Sequence, residues 1–253
     1  VLIEFQKALK EIIDLGVQPN ATMQRIIFDY SNYHAIMVMM SGILLILFGG
    51  LGFKFWLKLR KSPKQANIKW HFEKKANLYF MSICVFVGMF MLLLVIANTS
   101  NTINPLKGLK LAYLNTPDIS IETENSHVSY GDSVHLTLQQ AFSCWIQAGD
   151  GVIPTPILNE MEKRVDFHSN KAVKSFVFMC LFIGIAINRW KVMLKNAKLI
   201  QFGIRPAQWG VVDKFNFVVG NSSIGLALLS MIIVVANIQG AFAPLTAFLV
   251  GFL

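Results

Sequence analysis

Chemistry in this chain would have to come from the histidines, serines and cysteines of its polar segments. His127, His135 and His168 fall among many acids in the stretch 98–171. A zinc site on a helix needs imidazoles a turn apart, or a His-Glu pair, so that the ligands share one face. None of the three histidines is so placed. Ser129, Ser133 and Ser143 lie near histidines in sequence, but no Gly-x-Ser-x-Gly turn frames any of them. Cys84, Cys144 and Cys180 show neither disulfide-framework nor metal-ligand spacing, and only Cys144 lies in the polar stretch. The sequence therefore points to no catalytic residue, no cofactor and no metal. The enzymatic alternative is a membrane-interface enzyme using the three histidines. Loss of function on single alanine changes there, with assembly unchanged, would establish it.

Ionisable groups deep in a bilayer are costly and mark pumps and proton relays. The apolar stretches hold none away from their ends: His34, Lys174 and Asp213 sit at edges, where a side chain can reach the interface. The deepest polar groups are the amides Asn188, Asn221 and Asn237, which suit hydrogen bonds between helices. A proton-driven pump built from this chain alone is not expected.

The elements that position these residues follow from hydropathy. Hydrophobic residues make up 54% of the 253, charged residues 15%, and the mean hydropathy is +0.52. Soluble domains carry about 25% charged residues, so lipid solvates much of this chain. Apolar runs at about 34–56, 77–97, 171–187 and 215–236 each approach the ~20 residues a helix needs to cross a bilayer. The reading is an all-α polytopic membrane protein of about four transmembrane helices. It divides into an amphipathic N-terminal segment (1–33), a first hairpin (34–97), an acidic loop domain (98–171) and a second hairpin (172–253). The last apolar residues, 240–253, read as re-entrant or as the opening of a fifth span. The chain begins at Val1 and ends in an apolar run, as a piece of a longer protein would.

Helical spacing puts Leu2, Phe5, Leu9, Ile12 and Ile13 on one face of a short helix, stopped by Gly16 and Pro19. That helix is expected to pack on its own protein, with the membrane interface as the competing place. Within the loop, 133–147 sets Val134, Leu138, Ala141 and Trp145 on one side, facing the membrane or a partner. A shorter helix is expected over 157–166, and the basic segment 190–202 at the interface. Asn20-Ala-Thr22 and Asn98-Thr-Ser100 match glycosylation acceptors.

Charge sets the expected orientation. The turns 54–75 and 188–214 hold fourteen Lys/Arg and two acids, whereas 1–33 and 98–171 hold eight Lys/Arg and twelve acids. Basic residues stay on the cytoplasmic side, so 1–33 and 98–171 are expected on the other. Topology then accounts for the net charge of +9, and no direct nucleic-acid binding is expected. Anionic lipids are the further ligand that the basic turns suit. Small residues that let helices approach closely are Gly49, Gly50 and Gly52, Gly88, Gly184, and Gly220, Ser223 and Gly225. Their partner helix could belong to this chain or to another.

In the loop, Asn115-Thr116-Pro117 is followed by Gly131-Asp132 and by Ala141-Phe142-Ser143. This succession after a second span resembles the N-terminal membrane region of TraG-like conjugal transfer proteins. These are polytopic inner-membrane subunits of type IV secretion systems. The resemblance covers that motif succession and the topology; residues 172–253 carry no motif of the family. It implies a non-enzymatic subunit of a secretion or conjugation machine in a bacterial inner membrane, with other membrane subunits as partners. Asn115, Pro117, Gly131, Asp132, Phe142 and Trp145 are then the docking candidates. The rival class is a homo-oligomeric channel or small transporter, whose pore these spans could line only with Asn, Ser and Thr.

Overall fold

A computed structural model describes residues 2–61, 72–114, 130–204 and 210–252, without the side chains of 2, 130–136, 201, 251 and 252. Among them every element is helical and none is a strand. In order these are α1 (Leu2–Asp14), α2 (Ala21–Lys61), α3 (Phe72–Ile103), α4 (Pro105–Leu109), a π-helical turn (Lys110–Leu114), α5 (Tyr130–Ala148), α6 (Thr155–Gln201), α7 (Val211–Phe242) and α8 (Pro244–Phe252). Four of them, α2, α3, α6 and α7, are long and apolar enough to cross a membrane.

Local sequence sets the boundaries. Gly16, at φ +66°, ends α1 in a backbone conformation that costs glycine little. Asn20 caps α2 by accepting the Met23 N–H at 2.9 Å. Lys58, Arg60 and Lys61 in the last turn of α2 complement its carbonyl end. Asn104 does for α4 what Asn20 does for α2, accepting the Lys107 N–H at 3.3 Å, with Pro105 in the first turn.

Two long helices run past the boundaries that hydropathy suggests. The first span is expected to begin near His34, yet α2 starts at Ala21 and runs 41 residues. The expected short helix at 157–166, the third span and the basic segment are all one 47-residue helix, α6. At 1.5 Å per residue, α6 is about 70 Å long, more than twice the ~30 Å hydrocarbon layer. A polarity change marks where lipid stops, not where helical hydrogen bonding stops. After Pro156 no proline comes before Pro206, and the glycine between them within the helix, Gly184, is single. Glu160 further supports the charged turn by pairing with Lys163 at 3.8 Å and Arg164 at 3.5 Å.

The chain packs as two units. The first, termed the polar unit, contains 1–38, 96–169 and 237–253. Its core joins Phe5 and Leu9 of α1, Met23 and Ile26 of α2, Phe142 and Trp145 of α5, Ile157 of α6, and Leu245, Phe248 and Leu249 of α8. The amphipathic α1 thus packs on its own protein. The segment 240–253 enters this same core. Asp29 Oδ2 accepts the Thr246 N–H at 2.6 Å, and Arg164 donates to the Ala247 carbonyl at 3.2 Å while lying over the Phe248 ring. The second, the bundle unit, contains 39–95 and 170–236. Val87, Met91 and Met231 form one cluster in it, and Ala76, Trp190 and Met193 another.

Candidate functional site

The bundle unit holds an apolar cleft of about 470 Å³ whose walls come from all four of its helices. Phe48 and Phe55 line it from α2, Phe80 from α3, Trp190 from α6, and Leu228 and Met231 from α7, with Lys191 the cation on its wall. Three of its lining aromatics, Phe55, Phe80 and Trp190, belong to one chain of ring contacts. Phe80 meets Trp190 edge-on at 4.6 Å, Tyr79 stacks on Trp190 at 5.7 Å, and Phe55 stacks on Phe80 at 5.4 Å. Such contacts hold large side chains in fixed orientations. Lys58 lies 5.9 Å over the Phe55 ring, so a second cation stands beside the cleft's aromatic wall.

The glycines separate into two groups. Gly220 lets Trp190 lie against α7: a Cβ there would sit 3.2 Å from the indole. Gly52 faces the Cys84 Cβ at 3.3 Å, and Gly88 faces Leu45 at 3.9 Å. Ser223 is buried and returns its hydroxyl to the Val219 carbonyl at 2.8 Å. At Gly49, Gly50, Gly184 and Gly225 an added Cβ would meet nothing of this chain within 4 Å.

The docking candidates fare differently. Asn115 and Pro117 lie outside the described residues, as does His127. Gly131 and Asp132 lie in the first turn of α5, and the side chains of Asp132 and His135 are outside those described. Phe142 and Trp145 require a correction. The sequence places them facing a partner, but they are 0% and 1% exposed. The face of α5 is covered by the chain's own helices: Phe142 meets Phe5 of α1 at 6.4 Å and Phe248 of α8 at 6.4 Å. Both glycosylation-like asparagines are engaged, Asn20 as the α2 cap and Asn98 with His34.

Two hydrogen-bonded pairs join long helices, and Asn237, read from sequence as a group for bonds between helices, belongs to one of them. His34 Nδ1 lies 2.7 Å from Asn98 Oδ1, pinning α2 to α3, and His168 Nδ1 lies 2.9 Å from Asn237 Oδ1, pinning α6 to α7. His168, a candidate ligand by sequence, is used here as a helix clamp. Gln239 donates to the Tyr33 carbonyl at 3.0 Å, and Ser31 to that of Thr102 at 2.9 Å. In the turn after α4, burial chiefly, with Tyr30 and Tyr33 adding to it, pushes the Tyr113 phenol up to about 12. Among the described residues no group of three His, Cys, Asp or Glu could hold a metal ion. Asp29, the most consequential polar residue for α8, carries no sequence signal beyond being an acid ahead of a span.

Fold and cleft define an all-α polytopic membrane protein. No protein-family model, no curated protein and no solved structure matches the chain.

Proposed function

We propose that this protein is a non-enzymatic integral membrane subunit of a larger assembly, and that a helix of a partner subunit occupies the bundle cleft. The cleft is the observation that carries the reading: four spans leave about 470 Å³ of apolar space unfilled by their own side chains. Lipid tails are as apolar as leucine, so specific filling of such a space comes from shape and close packing, which a rigid helix supplies. The assembly that the loop motifs suggest is a type IV-like secretion or conjugation machine of a bacterial inner membrane. In this reading the basic turns face the cytoplasm, where anionic lipid headgroups are available to them, and residues 1–33 and 98–171 face the opposite side.

The test is purification of the native complex in mild detergent, with mass spectrometry of what stays bound. Co-purification of a translocation ATPase or an envelope-spanning core supports the proposal. A single-component oligomer overturns it and leaves the channel or transporter reading in its place.

A further inference from the structure

The chain carries one series of elements twice. In α2, His34, Phe48, Gly50, Trp56 and Lys61 are spaced as His168, Phe182, Gly184, Trp190 and Lys195 are in α6. Around α3, Trp70, Lys75, Asn77, Val95, Ala97, Asn98, Pro105 and Leu106 are spaced as Trp209, Lys214, Asn216, Val234, Ala236, Asn237, Pro244 and Leu245 are around α7. Each long first helix is preceded by Gly-Val-x-Pro, at 16–19 and 151–154, with both glycines at positive φ, +66° and +76°. Before each of those turns stands an amphipathic helix, α1 or α5.

The structure repeats with the sequence. Helices α3 and α7 are each 32 residues long; each is followed by a one-residue break and a helix opened by proline. The His34–Asn98 pair and the His168–Asn237 pair are the same contact in the two series. Tyr30 and Arg164 each stand four residues before their histidine. Tyr30 packs on Gly108 of α4, and Arg164 bonds the Ala247 carbonyl of α8, at the matching position. Met23 and Ile157, also matched, are both core residues.

We propose that the chain is a fused dimer: two diverged copies of one two-span membrane unit, α1–α4 and α5–α8, paired about a pseudo-two-fold axis within each of its units. The two copies pack on each other in both units. Phe5 of α1 meets Phe142 of α5 at 6.4 Å, and in the bundle unit Val87 and Met91 of α3 cluster with Met231 of α7. Each copy spans twice, so both run in the same direction, the arrangement that places binding sites at the seam between repeats. Both copies line the cleft, the first through α2 and α3 and the second through α6 and α7. This deepens the proposed function and rests on it for the occupant alone.

Divergence between the copies is specific. Asn104 caps α4 at the Lys107 N–H, whereas the matching position before α8 is Ala243, which has no side-chain acceptor. Asp29 of the first copy supplies the missing acceptor to the matching N–H of Thr246. The second copy has thus become dependent on the first, and the two are no longer interchangeable.

The test uses the full chain with its three native cysteines replaced, and spin labels at exposed, matched positions of α3 and α7: Tyr79 with Val218, and Phe90 with Leu229. A two-fold relation requires the distance from 79 to 229 to equal that from 218 to 90. Coincident distance distributions are expected. Distributions separated by more than the spread of the label itself overturn the proposal. Leu93 and Ile232, also matched and exposed, replace Phe90 and Leu229 if labels there disturb the fold. Neither distance depends on what fills the cleft, so loss of the partner reading leaves this result standing.

Discussion

Asp29→Ala removes the carboxylate that accepts the Thr246 N–H at 2.6 Å. Thr246 is almost wholly buried, at 1% exposure, so water cannot replace the lost acceptor. A hydrogen bond to a charged group contributes about 1.5–3 kcal/mol, and an unsatisfied buried donor costs about 1–3 kcal/mol. These are two descriptions of one loss, so about 2 kcal/mol is expected. The loss falls on α8, only nine residues long and dependent on tertiary contacts for its helicity. Asp29→Asn keeps an acceptor and should lose less than half as much. Hydrogen exchange of the protein in detergent reads this directly. Asp29→Ala should speed exchange of the 244–252 amides by about 30-fold, as ~2 kcal/mol of local opening requires, while α3 amides stay unchanged. Equal protection of 244–252 in wild type, Asp29→Asn and Asp29→Ala would refute the reasoning.

Further outcomes follow from the same contacts. Gly108→Ala should lower the thermal midpoint, because its Cβ would sit 2.6 Å from the Tyr30 hydroxyl. Gly184→Ala, in open space, should leave the isolated protein as stable or raise it by up to about 1 kcal/mol of helix propensity; a thermal shift series compares the two. Trp145→Ala should destabilise the purified chain by about 3–5 kcal/mol, as a large core truncation does, measured by denaturant unfolding. Unchanged stability with lost partner binding would restore it as a docking residue. Tyr113 should titrate well above an ordinary phenol, at about 12. Its folded pKa is raised, so its contribution to stability is complete below the unfolded phenol value of about 10 and is lost as pH rises through about 12. Phenolate absorbance against pH checks this, and five tyrosines titrating together near the ordinary value would contradict it.

The spans were legible because a twenty-residue apolar run is seldom anything but a membrane helix. Phe5 and Leu9 likewise announced a buried face on α1. The amphipathic face of α5 was equally plain, yet its destination was not. Trp145 on one side of a helix says that something covers it, and only tertiary structure says that α1, α2 and α8 do. Helix continuity escaped for a related reason: hydropathy falls at the membrane edge, whereas α2 and α6 continue through it on ordinary helix formers. The clamps His34–Asn98 and His168–Asn237 join residues far apart in sequence, so neither partner predicts the other alone. Their signal lay instead in repetition, since Ala97-Asn98 with Pro105-Leu106 returns as Ala236-Asn237 with Pro244-Leu245. Substitution between the copies at most other positions of the spans, apolar for apolar, masks that register.

The occupant of the cleft is the central claim, and photo-crosslinking from inside it in native membranes tests that claim most directly. A photoreactive residue at Leu228, on the cleft wall, should give one discrete adduct with a membrane polypeptide, lost when Ala227→Trp fills the space beside it. Adducts with lipid alone, or with another copy of this chain, would contradict the claim.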